Sequence, residues 1–176
     1  MPLRSDWSTE NCPIARSLEI LGDPWTMLVL RQALSGVRRF EGFRDQLGVA
    51  DNVLSKRLNA LVDAGLLRRV PYPDGRRTRH EYVLTDAGAD TFPVVIALAQ
   101  WGERHRPHPD PGVRMDIVHR SCGGQTTTTD YCSHCHERLT IDTTTWRKSW
   151  RDPPDLDLVG AVSGEYQTNC HPTSGL

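Results

Sequence analysis

Apolar residues recur at helical spacing through the first hundred positions of the chain. In CPIARSLEILG, Ile14, Leu18 and Leu21 share one face behind Pro13, with Cys12 in the cap position and Gly22 as the stop. DPWTMLVLRQALSG opens at Pro24 with Asp23 as N-cap and is apolar on most sides, through Trp25, Met27, Leu28, Val29 and Leu30, which predicts a buried central helix. FEGFRDQLG groups Phe40, Phe43 and Leu47 and ends at Gly48. DNVLSKRLNALVDAGLL then offers Asp51 as N-cap, a core stripe of Leu54, Leu58, Leu61 and Val62, and Gly65 as its stop. A tight turn joins these last two helices, which is the helix-turn-helix arrangement.

The period then changes. LRRVPYP and RHEYVLT are strand-like, and Pro73, Asp74 and Gly75 between them predict a β-hairpin. Thr85 caps a predicted last long helix, DAGADTFPVVIALAQWGERHR, with Phe92, Val95, Ile96, Ala99 and Trp101 as its stripe and a bend expected at Pro93. Periodicity stops near PHPDPG, and the remainder of the chain is rich in Thr, Asp, Pro and Gly. The expected fold is mainly α with a small β-hairpin, an α+β winged helix-turn-helix. Its parts are the winged helix-turn-helix domain over 12–107, a ribbon-like extension over 113–140 and an irregular or disordered tail over 141–176.

Charge sharpens this picture. The chain carries a net charge of −1, yet residues 31–80 hold 11 Lys and Arg against 5 Asp and Glu. A local basic excess attracts a polyanion whatever the rest of the molecule carries. With Leu54, Leu58 and Leu61 turned inward, the opposite face of that helix presents Asn52, Ser55, Lys56, Asn59 and Asp63. Asn pairs with adenine and Lys with guanine in the major groove, so Asn52, Ser55, Lys56 and Asn59 are base-edge candidates. Such a face is more often only solvated. Its adjacency in sequence to Arg76, Arg77 and Arg79, at or beside the hairpin tip, points to double-stranded DNA.

No apolar run approaches the ~20 residues of a membrane span, and the polar start lacks a signal-peptide core, so a cytoplasmic protein with reduced thiols is expected. A phosphate-binding glycine loop, a helical His-Glu-x-x-His and the His-x-Glu partner of a zinc deaminase are all missing, which argues against an enzyme. In the segment HRSCGGQTTTTDYCSHCHERL, nine residues separate His119-x2-Cys122 from Cys132-x2-Cys135. Two such knuckles suit one tetrahedral Zn²⁺, a structural site because four protein ligands leave no open position. His134 and His136 compete with His119 for the fourth place, and a metal-free redox cluster or a decayed ribbon is the alternative. Cys170 and His171 are assigned no role.

The order of CPIARSLEILGDPWTMLVLRQALSGVRRFEGFRDQLG, VLSKRLNALVDAGLLRRVPY, HEYVLTDAG and the late WGERH resembles the HxlR family of bacterial transcriptional regulators, relatives of MarR-type winged helix proteins. The likeness covers residues 12 to about 105. Asp74-Gly75-Arg76-Arg77 departs from it, since the family more usually has a proline before the arginine. The resemblance implies a homodimer formed through the first and last helices on a pseudo-palindromic operator. It implies backbone or minor-groove contacts from Arg57 and the hairpin arginines, and a small-molecule or oxidant effector. Cys12, at a helix N-terminus that favours thiolate, is a redox-sensing candidate, or else a small residue filling the dimer interface. An adaptor that docks on transcription machinery without reading DNA is the competing function.

Overall fold

The computed structural model describes residues 6–74 and 77–161. Four helices come first: α1 (Pro13–Leu21), α2 (Pro24–Leu34), α3 (Phe40–Leu47) and α4 (Asp51–Asp63). Helix α2 is the centre of the core, with Val29, Leu30 and Leu34 fully buried among Phe43, Leu54, Leu58 and Leu61. Its start is fixed by Asp23, whose carboxylate accepts the N–H groups of Trp25 and Thr26. The start of α4 differs from expectation. Ala50 is the N-cap and Asp51 the first helical residue, where its charge still favours the positive helix end.

An antiparallel hairpin of β1 (Leu67–Asp74) and β2 (Arg77–Leu84) comes next, in register from Leu67 opposite Leu84 to Asp74 opposite Arg77. The predicted long helix is two: α5 (Asp86–Ala89), capped by Thr85, and α6 (Phe92–His105). Pro93 therefore opens α6 instead of bending it, as suits a residue with no N–H to donate in the first turn. Gly88 is what lets α5 sit under the hairpin, since a Cβ there would lie 2.0 Å from the Leu66 carbonyl oxygen. Trp101 leaves the predicted stripe and is 55% exposed, while Phe92, Val95 and Ile96 are buried.

The largest departure lies after residue 110. A four-stranded antiparallel sheet, in the order β4 (Gln125–Thr126), β3 (Met115–His119), β5 (Thr144–Lys148), β6 (Asp155–Asp157), runs well past Thr140. The expected irregular tail over 141–176 is thus ordered from a short 3-10 turn at Ile141–Thr143 through β6, and β5 is an inner strand. The physical reason is Trp146. Fully buried, it joins Ile117 and Leu158 to the helical core of Val29, Leu30 and Leu34, and Val159 N–H donates to the Leu34 carbonyl at 2.8 Å. The extension is packed onto the winged helix as part of one core. Cys170 and His171, with the rest of 162–176, lie outside the described residues.

Candidate nucleic-acid interface and metal centre

Along α4 the inward Leu54, Leu58 and Leu61 leave Asn52, Lys56 and Asn59 exposed on one face, with Ser55 half-buried beside them. Arg69, on the exposed side of β1, donates from Nη2 to Asn59 Oδ1 and so lies against this face. The Arg68-Arg69 pair directly after α4 was a usable signal for Arg69, which the sequence alone did not single out. Arg57 sits elsewhere. Its Nη2 is 2.6 Å from Asp23 Oδ2, the oxygen not used for capping, and only about a fifth of the side chain is exposed. It clamps α4 to the start of α2 and is turned away from Asn52, Lys56 and Asn59.

The hairpin is aimed by α3 and the turn before it. Tyr82 N–H donates to the Arg38 carbonyl at 2.8 Å, and the Tyr82 ring meets buried Phe43 edge-on at 6.4 Å. Arg39 pairs with Glu81 at 3.2 Å and lies 4.6 Å over the Tyr72 ring. Arg79 is held between Glu41 of α3 and Asp74 of β1, at 2.5 and 2.6 Å, with about half its surface exposed. It braces the hairpin, a role invisible without Glu41 as neighbour. Arg76 lies outside the described residues, and of Arg77 only the backbone pairing to Asp74 is described.

The two knuckles meet. Ligand atoms of His119, Cys122, Cys132 and Cys135 all lie within 4.8 Å of one another, a set that can bind a metal ion. His119 Nδ1 is 3.4 Å from Cys122 Sγ and 3.2 Å from Cys135 Sγ, and the sulfurs of Cys122 and Cys132 are 3.6 Å apart. Backbone N–H groups of Gly124 and His134 point at the sulfurs of Cys122 and Cys132, both at 3.4 Å. Gly123 and His136 come directly after the second ligand of each knuckle in left-handed conformations, φ 66° and 62°. His136 holds there the place that glycine fills in the first knuckle, at a cost of roughly 1–2 kcal/mol. His134 and His136 are exposed and outside the cluster. His119 is wholly buried, with Glu137 3.8 Å from its Nε2.

Two thiols of the cluster shift in opposite directions. Burial raises the Cys132 thiol, but N–H groups of Cys135 and His134 at its sulfur bring it below the ordinary value. The Glu137 N–H has the same lowering effect on Cys135, yet burial and the sulfurs of Cys122 and Cys132 push Cys135 up to about 11. Neighbouring thiols resist ionising together, which a bound dication reverses.

Ile14 and Leu18 of α1 and Val94, Leu98 and Trp101 of α6 are exposed. Ile14, Leu18, Val94 and Leu98 line an apolar depression of about 740 Å³ between α1, α2 and α6. Cys12, exposed at the head of α1, adjoins it without a side-chain capping bond. No helix among the described residues is long and apolar enough to cross a membrane.

Residues 20–110 match the HxlR-like helix-turn-helix family, more than half of the chain. This chain belongs to that family. The HTH-type transcriptional regulator Rv3095 of Mycobacterium tuberculosis is 42% identical over 127 residues, covering 72% of this chain and 79% of the relative. A match that long cannot fit within residues 1–110, so it runs at least 17 residues into the C-terminal unit of this HxlR-like protein. The crystal structure of PA1607, a candidate transcription factor, is 35% identical with a TM-score of 0.64, over 77% of this chain and 94% of that one. The redox regulator HypR in its reduced form is also similar, 27% identical with a TM-score of 0.50, over 54% of this chain and 94% of that one.

Proposed function

We propose that this HxlR-like chain, a DNA-binding transcriptional regulator by family, works as a homodimer on a pseudo-palindromic operator. The observation that carries the reading is the separation of two surfaces. The polar face of Asn52, Lys56 and Asn59 with Arg69 lies on α4 and β1, while the exposed apolar residues Ile14, Leu18, Val94 and Leu98 lie on α1 and α6. An α-helix fits the major groove, and a contiguous apolar surface on a soluble protein marks an association site. Pairing through α1 and α6 sets two α4 helices on one duplex, with a two-fold axis matching the operator.

Within each half-site Asn52, Lys56 and Asn59 meet base edges and Ser55 a phosphate. Asn59 offers its amide N–H groups while Arg69 engages its oxygen, so these two side chains read as a unit. The hairpin lays Arg76 and Arg77 along the backbone or the minor groove, with Arg79 fixing its angle. Arg57 stays with Asp23.

His119, Cys122, Cys132 and Cys135 would hold a structural Zn²⁺. Tetrahedral Zn–S bonds of about 2.3 Å set sulfurs about 3.8 Å apart, near the 3.6 Å between Cys122 and Cys132. The ion would neutralise the crowded thiolates and tie β3 and β4 to the second knuckle. Cys12, exposed beside the proposed dimer face, is placed to change subunit contacts when oxidised; the likeness to HypR supports this reading.

Sequencing the DNA fragments retained by the purified protein, with and without a thiol oxidant, tests the function. The expected product is one inverted-repeat site lost or weakened by oxidant in wild type and not in Cys12→Ser. Random fragments retained equally would favour an adaptor that does not read DNA.

A further inference from the structure

A second cavity, of about 280 Å³, lies where α2 and α6 meet the C-terminal sheet. Its walls are apolar, formed by Met27, Leu28, Val95, Leu98 and Met115, with Trp150 at one side. Two cations enter it. Lys148 at the end of β5 is only 8% exposed, and Arg31 of α2 is half-buried. Among the described residues no carboxylate lies within 4 Å of either. The ammonium of Lys148 stands 5.0 Å from the centre of the Trp146 ring, and Arg31 Nε donates to the neighbouring Gln32 amide at 3.3 Å. Glu103 also lines the cavity, but its carboxylate accepts the Met115 N–H at 2.8 Å and pairs with neither cation.

A buried ammonium without a counter-anion is costly, and evolution rarely leaves one unless it is used. Nothing in the sheet requires Lys148 there, since the strand needs only an apolar residue at that inward position. Two cations face one carboxylate within the lining, and Arg151 adds positive charge nearby, so the cavity favours an anion. At about 30 Å³ per water, the space equals roughly nine waters, the size of a one- or two-ring compound. Ligand pockets commonly combine such apolar walls with a few placed polar groups.

We propose that this cavity binds a small aromatic carboxylate, its ring among Met27, Leu28, Val95 and Trp150 and its charge against Lys148 and Arg31. Because Met27, Leu28 and Leu98 also line the depression on the α1 and α6 face, a bound anion props the very helices through which the subunits pair. Such a ligand is an effector class for the proposed regulator, and its regulatory meaning rests on that function. The site itself is tested without DNA, so its failure and that of operator binding are separable.

The experiment is isothermal titration of the full chain with 1-naphthoate and with its neutral analogue 1-naphthamide. The expected result is saturable binding of one naphthoate per chain, with the amide weaker by at least about tenfold, the scale of a hydrogen bond to a charged group. Lys148→Met is expected to weaken naphthoate by at least about tenfold and leave the amide unchanged. Arg31→Gln is expected to weaken naphthoate by about threefold or more, and it decides the matter should Lys148→Met not fold. Equal affinity for acid and amide would place the probe on an uncharged apolar surface and overturn the proposal. Undiminished naphthoate binding in the folded variants, or no saturable heat at millimolar probe, would overturn it equally.

Discussion

The hairpin and the C-terminal sheet are both antiparallel β units set on one helical core, and they are held by opposite means. Hairpin strands are long, eight residues each, but only the inner end, at Leu67, Val70, Val83 and Leu84, is buried. Its outer half rests on Arg79 with Glu41 and Asp74, and on Arg39 with Glu81 and Tyr72. Such half-exposed pairs are worth about 0.2–1 kcal/mol each and weaken with salt. Strands of the C-terminal sheet are only two to five residues long, yet Trp146 runs into the common core and the cluster of His119, Cys122, Cys132 and Cys135 gathers the two knuckles. The hairpin, proposed to track a DNA backbone, is held softly, whereas the sheet that packs on α2 and α6 is anchored in the common core.

Removal of the proposed zinc should break the contrast most deeply. Structural zinc contributes on the order of 10 kcal/mol in small folds, so a strong chelator should loosen the knuckles and redden tryptophan emission while the helical circular dichroism persists. Unchanged emission after verified metal loss would mean that Trp146 and its strands hold the sheet unaided.

Next in size is a paired comparison by urea denaturation. Trp146→Ala should cost about 3–5 kcal/mol by emptying the shared core, whereas Arg79→Ala should cost no more than about 1 kcal/mol, a difference that shrinks further in high salt. Comparable losses would show the wing to be as firmly built as the sheet.

Lys148 gives a smaller effect of the opposite sign. Burial, with Arg31 and Arg151 nearby, pushes its ammonium down to about 8. The unfolded chain therefore binds the extra proton more readily between pH 8 and the ordinary lysine value. Stability contributed by this group rises with pH across that window, and its penalty is fully present below pH 8. Lys148→Met should stabilise the protein by about 1–3 kcal/mol at pH 7 and flatten the pH dependence above 8, as measured by thermal unfolding.

The helical core was legible because its signals agree: Asp23 before Pro24, leucines at 54, 58 and 61, and glycines at 48 and 65 that the chain uses at positive φ. The knuckles were legible from spacing alone, since x2 turns bring His119 to Cys122 and Cys132 to Cys135 wherever the rest of the chain goes. Strand β5 was not. As an inner strand it buries Thr144, Thr145, Trp146 and Lys148 on both faces, so no alternation remains, and threonine and lysine read as surface. The ion pairs of Arg57 with Asp23 and of Arg79 with Glu41 were not legible, because these partners are more than thirty residues apart in sequence. Only the fold makes them neighbours.

In the proposed complex α4 reads bases while the basic surface around it supplies affinity. Fluorescence anisotropy of the selected operator and of a shuffled duplex, across a salt series, tests it most directly with wild type and Asn59→Ala. Wild type should prefer the operator by about 10³-fold or more, and Asn59→Ala should reduce that ratio by about tenfold with little change in salt slope. A wild-type protein that binds both duplexes alike, or an Asn59→Ala variant that keeps the full preference, would contradict the account.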